Sequence, residues 1–227
     1  MPIRFSEADF ERVRAAVVAA EQQTAGEIVP VVVVRSGSYP EALWKGAALC
    51  MALMLLLSLI FVFAYTGWGA TWFHTGWGVA LLTLLAGSLG GLAAAYVEPF
   101  QRWLIGEARL AEQVHLRALE AFVEEEVFRT QDRTGILIFV SLFEHWVEVV
   151  GDAGINQRVD PDTWAEVVDL VRQGIRRGQL VDGIVAAVDR CGQLLAEHGV
   201  TVRPSDVNEL DDALRIRTVQ QKRSTDT

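Results

Sequence analysis

Apolar positions along the chain fall into three patterns, and each predicts a different kind of element. In the first stretch Phe10, Val13, Val17 and Ala20 recur at helical spacing, predicting a helix over residues 7–23. Ser6 with Asp9 makes a shortened capping box at its start, and Phe5 with Phe10 has hydrophobic-staple spacing. TAGEIVPVVVVR follows. Ile28 and the run of valines, opened by Gly26, read as a buried strand over 27–35. Pro30 has no N–H to give a ladder, which predicts a bulge or an edge position.

The second pattern is unbroken apolarity. Residues 46–66 and 76–97 contain no charged side chain. A helix rises about 1.5 Å per residue and bilayer hydrocarbon is about 30 Å thick, so each run is long enough to span. Ser38-Tyr39-Pro40-Glu41 reads as the start of the helix leading into the first run, with Glu41 and Lys45 as an i,i+4 pair. Trp68, Trp72, Phe73, His74 and Trp77 crowd the connection between the runs, as expected at a membrane–water interface. That connection has no Lys or Arg, whereas Arg35 and Lys45 precede the first run and Arg102 and Arg109 follow the second. The positive-inside rule then places both long soluble parts, and both termini, in the cytoplasm. Gly87 and Gly91 form a GxxxG pair within a stretch of small residues. Its two uses are packing against the first run and contact with a second copy in a homo-oligomer.

After Glu98-Pro99 the chain becomes amphipathic again. Leu104, Ala108, Ala111, His115, Ala118 or Leu119, and Phe122 predict a single helix through about residue 128, with Glu124, Glu125 and Glu126 on a solvated face. RTGILIFVSLFEHWVEVVGD reads as a β-hairpin, with strands over 136–142 and 146–150 and Phe143-Glu144-His145 at the turn. Asp160-Pro161 opens a helix whose apolar face carries Trp164, Val167, Val168, Val171 and Ile175, ending at Gly178. A last helix over 179–198 carries Leu180, Ile184, Ala187, Val188, Cys191 and Leu195. The residues after Pro204 read as a polar tail.

One helix and one strand before residue 38 cannot bury their own apolar faces, and a lone strand leaves its edges open. The hairpin and helices beyond residue 98 have the complementary need. The expected architecture is therefore one discontinuous α/β domain, residues 1–37 and 98–203, interrupted by a two-helix transmembrane hairpin over 38–97. Its fold class is an αβα sandwich with a small mixed sheet.

Charge and cysteines narrow the possibilities. The formal net charge is −9, and no cluster of Lys and Arg with interleaved aromatics exists, which argues against a nucleic-acid partner. Cys50 and Cys191 stand in unrelated contexts without metal-type spacing, and read as reduced packing residues. The opening MPIRFSEADFERVR lacks the apolar core of a signal peptide.

Several stretches resemble the TPM-domain family, named from thylakoid-lumen, photosystem-repair and receptor-modulator members. TAGEIVPVVVV is similar to the family's first strand, and residues 133–155 resemble its hairpin followed by Gly-Asp-x-Gly-Ile. SDVNELDD, residues 205–212, resembles the Asn-Glu-Leu signature of a bacterial membrane subgroup. The resemblance implies a Rossmann-like sandwich. It also implies activities found among members: acid phosphatase activity, metal binding, and assembly or repair of membrane complexes. IRFSEADF stands where many members carry an early acidic Val-x-Asp-type segment.

The candidate chemistry centres on Asp152, after the second hairpin strand, between Gly151 and Gly154, which are expected to allow a tight turn. Asp132 and Arg133, just before Gly135 and the first hairpin strand, fall beside Asp152 if the strands pair antiparallel. Two carboxylates and an arginine suit a divalent cation, calcium or magnesium, or a phosphate. The simpler role for Asp152 is that of a turn former. No Gly-rich phosphate loop or histidine cluster is present, and His115, His145 and His198 are isolated in sequence. The leading expectation is a bilayer-anchored module that binds or helps assemble other membrane proteins. The alternative is a metal-dependent acid phosphatase-like hydrolase. A transporter or channel subunit is disfavoured by two spans without an intramembrane charge.

Overall fold

The structure is a computed structural model describing residues 5–64, 76–200, 210 and 212–217. Trp68, Trp72, Phe73 and His74, and most of SDVNELDD, lie outside the described residues. In chain order the elements are α1 (Glu7–Glu21), β1 (Glu27–Val33), α2 (Glu41–Ala64), α3 (Gly76–Tyr96), α4 (Glu98–Ile105), α5 (Glu107–Glu124), β2 (Gly135–Ser141), β3 (Trp146–Gly151), α6 (Ala153–Asn156), a 3₁₀ turn (Pro161–Trp164), α7 (Ala165–Arg177), α8 (Leu180–Glu197) and β4 (Arg215–Arg217). They divide into two compact units, one from residues 1–37 and 111–227 and one from residues 38–110. The expected boundary at residue 97 therefore moves: α4 groups with the two long apolar helices.

The first unit is built on a mixed four-stranded sheet in the order β3-β2-β1-β4. β1 runs parallel to β2 from Glu27↔Gly135 to Val33↔Ser141, and β3 returns antiparallel to β2. The strand before the apolar insert thus lies inside a sheet completed by strands after it. Every residue of β1 and β2 is buried. Alternation sends Ile28, Val32, Ile136, Ile138 and Val140 to one face, where α1, α7 and α8 cover them. Val29, Val31, Val33, Leu137 and Phe139 point to the other face, against Val114, Ala118 and Ala121 of α5. Helices on both faces explain why these strands read as continuous apolar runs rather than alternating ones.

Pro30 sits in β1 without a bulge. The Glu27 N–H bonds toward the β2 side, to Thr134 O, and the Ile28 N–H bonds to Glu21 on the other side. Pro30 shares the parity of Ile28, and β4 pairs with β1 only from Val31 onward. Its missing N–H therefore faces the stretch that β4 does not reach, so the expected edge character holds locally although β1 is an inner strand.

α1 starts as its sequence directs. Ser6 Oγ accepts from the Asp9 N–H at 3.2 Å, the Asp9 carboxylate accepts from the Ser6 N–H at 2.9 Å, and Phe5 and Phe10 lie 6.0 Å apart. Four expectations need correction. The helix foreseen through residue 128 is two helices, parted at Gly106, whose φ of 86° and ψ of 150° suit only glycine. The inward face of α5 carries Leu110, Val114, Ala118 and Ala121, not the stripe through Ala111 and His115. Glu125 is not solvated: it is 9% exposed and pairs with Arg215 at 2.9 Å. The segment foreseen as a polar tail contains the buried Leu214 and the parallel strand β4.

In the second unit α2 and α3 are each long and apolar enough to cross a membrane. Their closest approach joins Gly46 to Gly90 and Ala94: a methyl group added at Gly90 would lie 2.4 Å from the Gly46 carbonyl oxygen. Gly87 packs on Met51, and Gly91 faces Leu43 and Ala47, so both residues of the GxxxG pair are used between α3 and α2 of one chain. The i,i+4 expectation for Glu41 and Lys45 gives way to other partners. Arg109 lies 3.8 Å from Glu41, and Lys45 Nζ donates to the Leu104 carbonyl at 3.2 Å.

Candidate functional site

Antiparallel pairing of β2 and β3 places Gly151 opposite Ile136, so the chain leaves β3 beside the segment that enters β2. This brings Asp132, Arg133 and Asp152 into one neighbourhood. The Asp152 N–H donates to Gly135 O and the Gly154 N–H to Arg133 O, both at 2.9 Å. Asp152 then caps α6, its Oδ1 accepting from the Ala153 N–H at 2.7 Å. Its Oδ2 lies 2.7 Å from Arg133 Nε as an ion pair, although the approach is not aligned for a hydrogen bond. The carboxylate is 5% exposed and the guanidinium is largely open.

The three glycines foreseen as turn residues have a different role. Gly135, Gly151 and Gly154 do not adopt left-handed backbone; Arg133 does, with φ 59°. The glycines instead permit close approach. A methyl group at Gly154 would meet Asp132 O at 2.3 Å, and one at Gly135 would meet Val127 O at 2.0 Å. Backbone packing requires Gly135 and Gly154, while at Gly151 the side chains of Ile155 and Asn156 take the space.

Among the described residues no group of three or more His, Cys, Asp or Glu side chains is arranged to hold a metal ion. Asp152 already engages one helix N–H and one guanidinium. The donor set around it therefore does not fit calcium, which takes six to eight oxygen ligands. The geometry does hold a loop against the strand ends, and it exposes one face of Arg133 to solvent.

The neighbourhood of Asp152 lies at the amino ends of the parallel strands β1 and β2. Their carboxyl ends, where ligands of open α/β sheets usually gather, carry a cluster that the sequence did not advertise. Glu144 is 4% exposed. It accepts from the Ser36 N–H at 3.0 Å and from the Ser141 hydroxyl. Ser36 Oγ donates to Ser141 Oγ at 2.7 Å, and the Arg35 guanidinium stacks over Phe143 at 3.9 Å. Here the Ser141 hydroxyl, itself accepting from the Ser36 hydroxyl, and the Ser36 N–H solvate a buried carboxylate and fasten the turn after β2 to the segment after β1. In the sequence Glu144 looked like an ordinary hairpin-turn residue. Only the parallel register Val33↔Ser141 brings Ser36 to it.

A second carboxyl group gathers on the β1 side. Glu21, at the end of α1, accepts from the Ile28 N–H at 2.9 Å, with Glu27 and Asp212 nearby. Burial, then the neighbouring Glu27 and Asp212 carboxylates and a hydrogen bond shared with Asp212, push the Glu21 carboxyl up to about 9 against the pull of the Ile28 N–H. The Cys191 thiol, fully buried, is also shifted upward, which suits an inert packing residue. His115, isolated in sequence, meets Glu148 of β3 at 2.5 Å.

No protein-family model matches the chain, and no curated protein matches it. Among solved structures, the NMR structure of the BA42 protein from the psychrophilic bacterium Bizionia argentinensis is similar in fold. Its TM-score is 0.58 at 16% identity, over 96% of this chain and 98% of that one. At that identity the likeness concerns fold alone.

Proposed function

We propose that the chain is a bilayer-anchored α/β module that binds or helps assemble other membrane proteins. In this reading α2 and α3 form a transmembrane hairpin in a bacterial inner membrane, and the α/β unit faces the cytoplasm. One observation carries it. β1, which precedes the apolar insert, is an inner strand of a sheet whose other strands follow the insert. The apolar insert is thus the covalent link between β1 and the strands it pairs with, so the module is built to stay attached to the membrane. Leu53, Leu55, Leu56, Leu57, Leu59 and Ile60 of α2 are exposed as a continuous apolar surface, which suits lipid. The TPM-like Rossmann sandwich belongs to the same reading, as does binding to other membrane proteins.

The test is chemical crosslinking in native membranes followed by capture of the tagged full chain. A defined membrane-protein partner, recovered in amounts comparable to the chain itself, is the expected outcome. Recovery of lipid alone refutes the module. Phosphate release from a generic phosphomonoester, compared between the wild type and Asp152→Ala, checks the hydrolase alternative, and equal background rates remove it.

A further inference from the structure

α4, with the sequence EPFQRWLI, is eight residues long and begins one residue after α3 ends. Val97 between them is extended, with φ −105° and ψ 93°. Gly46 packs on Gly90 and Ala94, so Lys45 lies near the level of Ala94. A straight continuation of α3 would carry Leu104 about 15 Å past that level at about 1.5 Å per residue. Yet Lys45 Nζ reaches the Leu104 carbonyl at 3.2 Å. α4 therefore turns across the end of the α2–α3 pair, and a lysine from α2 holds one of its last carbonyls.

Its composition is sorted by face. Gln101 and Ile105 are its buried residues. Trp103 is 67% exposed, and its ring stacks on Phe100 at 6.1 Å with 14° between the planes. Trp44 and Tyr96, exposed at 63% and 82%, lie at the same end because the Gly46–Gly90 register brings the start of α2 beside the close of α3. The band sits at the ends of the uncharged runs, with Lys45 and Arg102 interspersed. Rings with a polar edge, next to cations, at the end of a lipid-length apolar helix match the headgroup–acyl boundary. A soluble partner's groove would call for apolar anchors without this alignment to the hairpin end.

We propose that α4, with Trp44 and Tyr96, is an in-plane foot that lies in the phospholipid headgroup layer and sets the depth of the hairpin. The inference rests on α2 and α3 spanning the bilayer. Its occupant is the lipid surface itself, continuous with the lipid that covers α2.

The test uses the full chain labelled with fluorotryptophan in bilayer discs of phosphatidylcholine and phosphatidylglycerol. Trp103→Phe, a conservative change at an exposed site, assigns the Trp103 resonance. A nitroxide at the top of the lipid acyl chain is expected to raise its relaxation about two-fold or more, while an aqueous gadolinium chelate leaves it nearly unchanged. The buried Trp164 is expected to respond to neither reagent. Strong broadening by gadolinium overturns the proposal, because α4 is then in water. No response to either reagent also overturns it, because protein then covers the ring. Retention of the chain in membranes through an alkaline carbonate wash reports separately on the hairpin, so a failed foot and a failed span give different results.

Discussion

Replacing Glu21 with Gln should change how the stability of the α/β unit depends on pH. In the folded chain the Glu21 carboxyl is pushed up to about 9, against an ordinary value of 4.5. Between these values the unfolded chain gives up the proton while the folded chain keeps it. The folded state then binds more protons, so stability falls as pH rises through this window and is greatest below it. The limiting slope is about 1.4 kcal/mol per pH unit, or about 2.7 kcal/mol between about pH 5.5 and about pH 7.5. Glu21 is only half-buried, and water at its open side reduces this to about 1 kcal/mol. Gln keeps an oxygen for the Ile28 N–H and can donate to Asp212, but it does not titrate. Amide hydrogen exchange of β1 and β2 peptides, measured on the full chain in detergent micelles and corrected for intrinsic rates, reads the difference. From the lower pH to the higher, the ratio of the wild-type exchange rate to that of the Gln variant should rise about five-fold. Identical pH trends in the two proteins, or a wild type that gains stability across the interval, would refute the reasoning.

Asp152→Ala should cost about 0.5–2 kcal/mol, through loss of the α6 cap, while Asp152→Asn should retain part of the cap; thermal unfolding of the full chain compares them. Gly90→Val should lower the unfolding temperature of the hairpin by several degrees, because its side chain would collide with the Gly46 carbonyl and Cys50. Gly76→Ala, with nothing within 4 Å, is the control and should leave it unchanged. Gly106→Ala should destabilise by about 1–3 kcal/mol, since φ 86° with ψ 150° strains any side-chain-bearing residue; the same melting measurement checks it.

Much of the local structure was legible in the sequence, because caps and apolar periodicity act over a few residues. Ser6, Asp9, Asp160 and Gly178 mark helix ends within two or three positions of where they fall. The two long apolar helices announced themselves by composition. The break at Gly106 was harder to see, because one glycine in an amphipathic stretch is also compatible with a continuous helix. The α5 stripe was misplaced for the same reason: alanines on several faces fit more than one inward direction.

The sequence by itself determined that a strand before the apolar insert had to find partners beyond it, since seven residues of apolar strand cannot remain unpaired in water. It also determined where helices start and which two could reach across a bilayer. Tertiary structure alone decided the rest. The parallel register of β1 and β2 put Ser36 beside Glu144. The addition of β4, three residues with two arginines, depended on Glu125 waiting on another element. The folding back of α4 required Lys45 to meet a carbonyl 59 residues away. Such contacts join groups whose sequence separation carries no signal, and they form only once the backbone around each partner has already been placed.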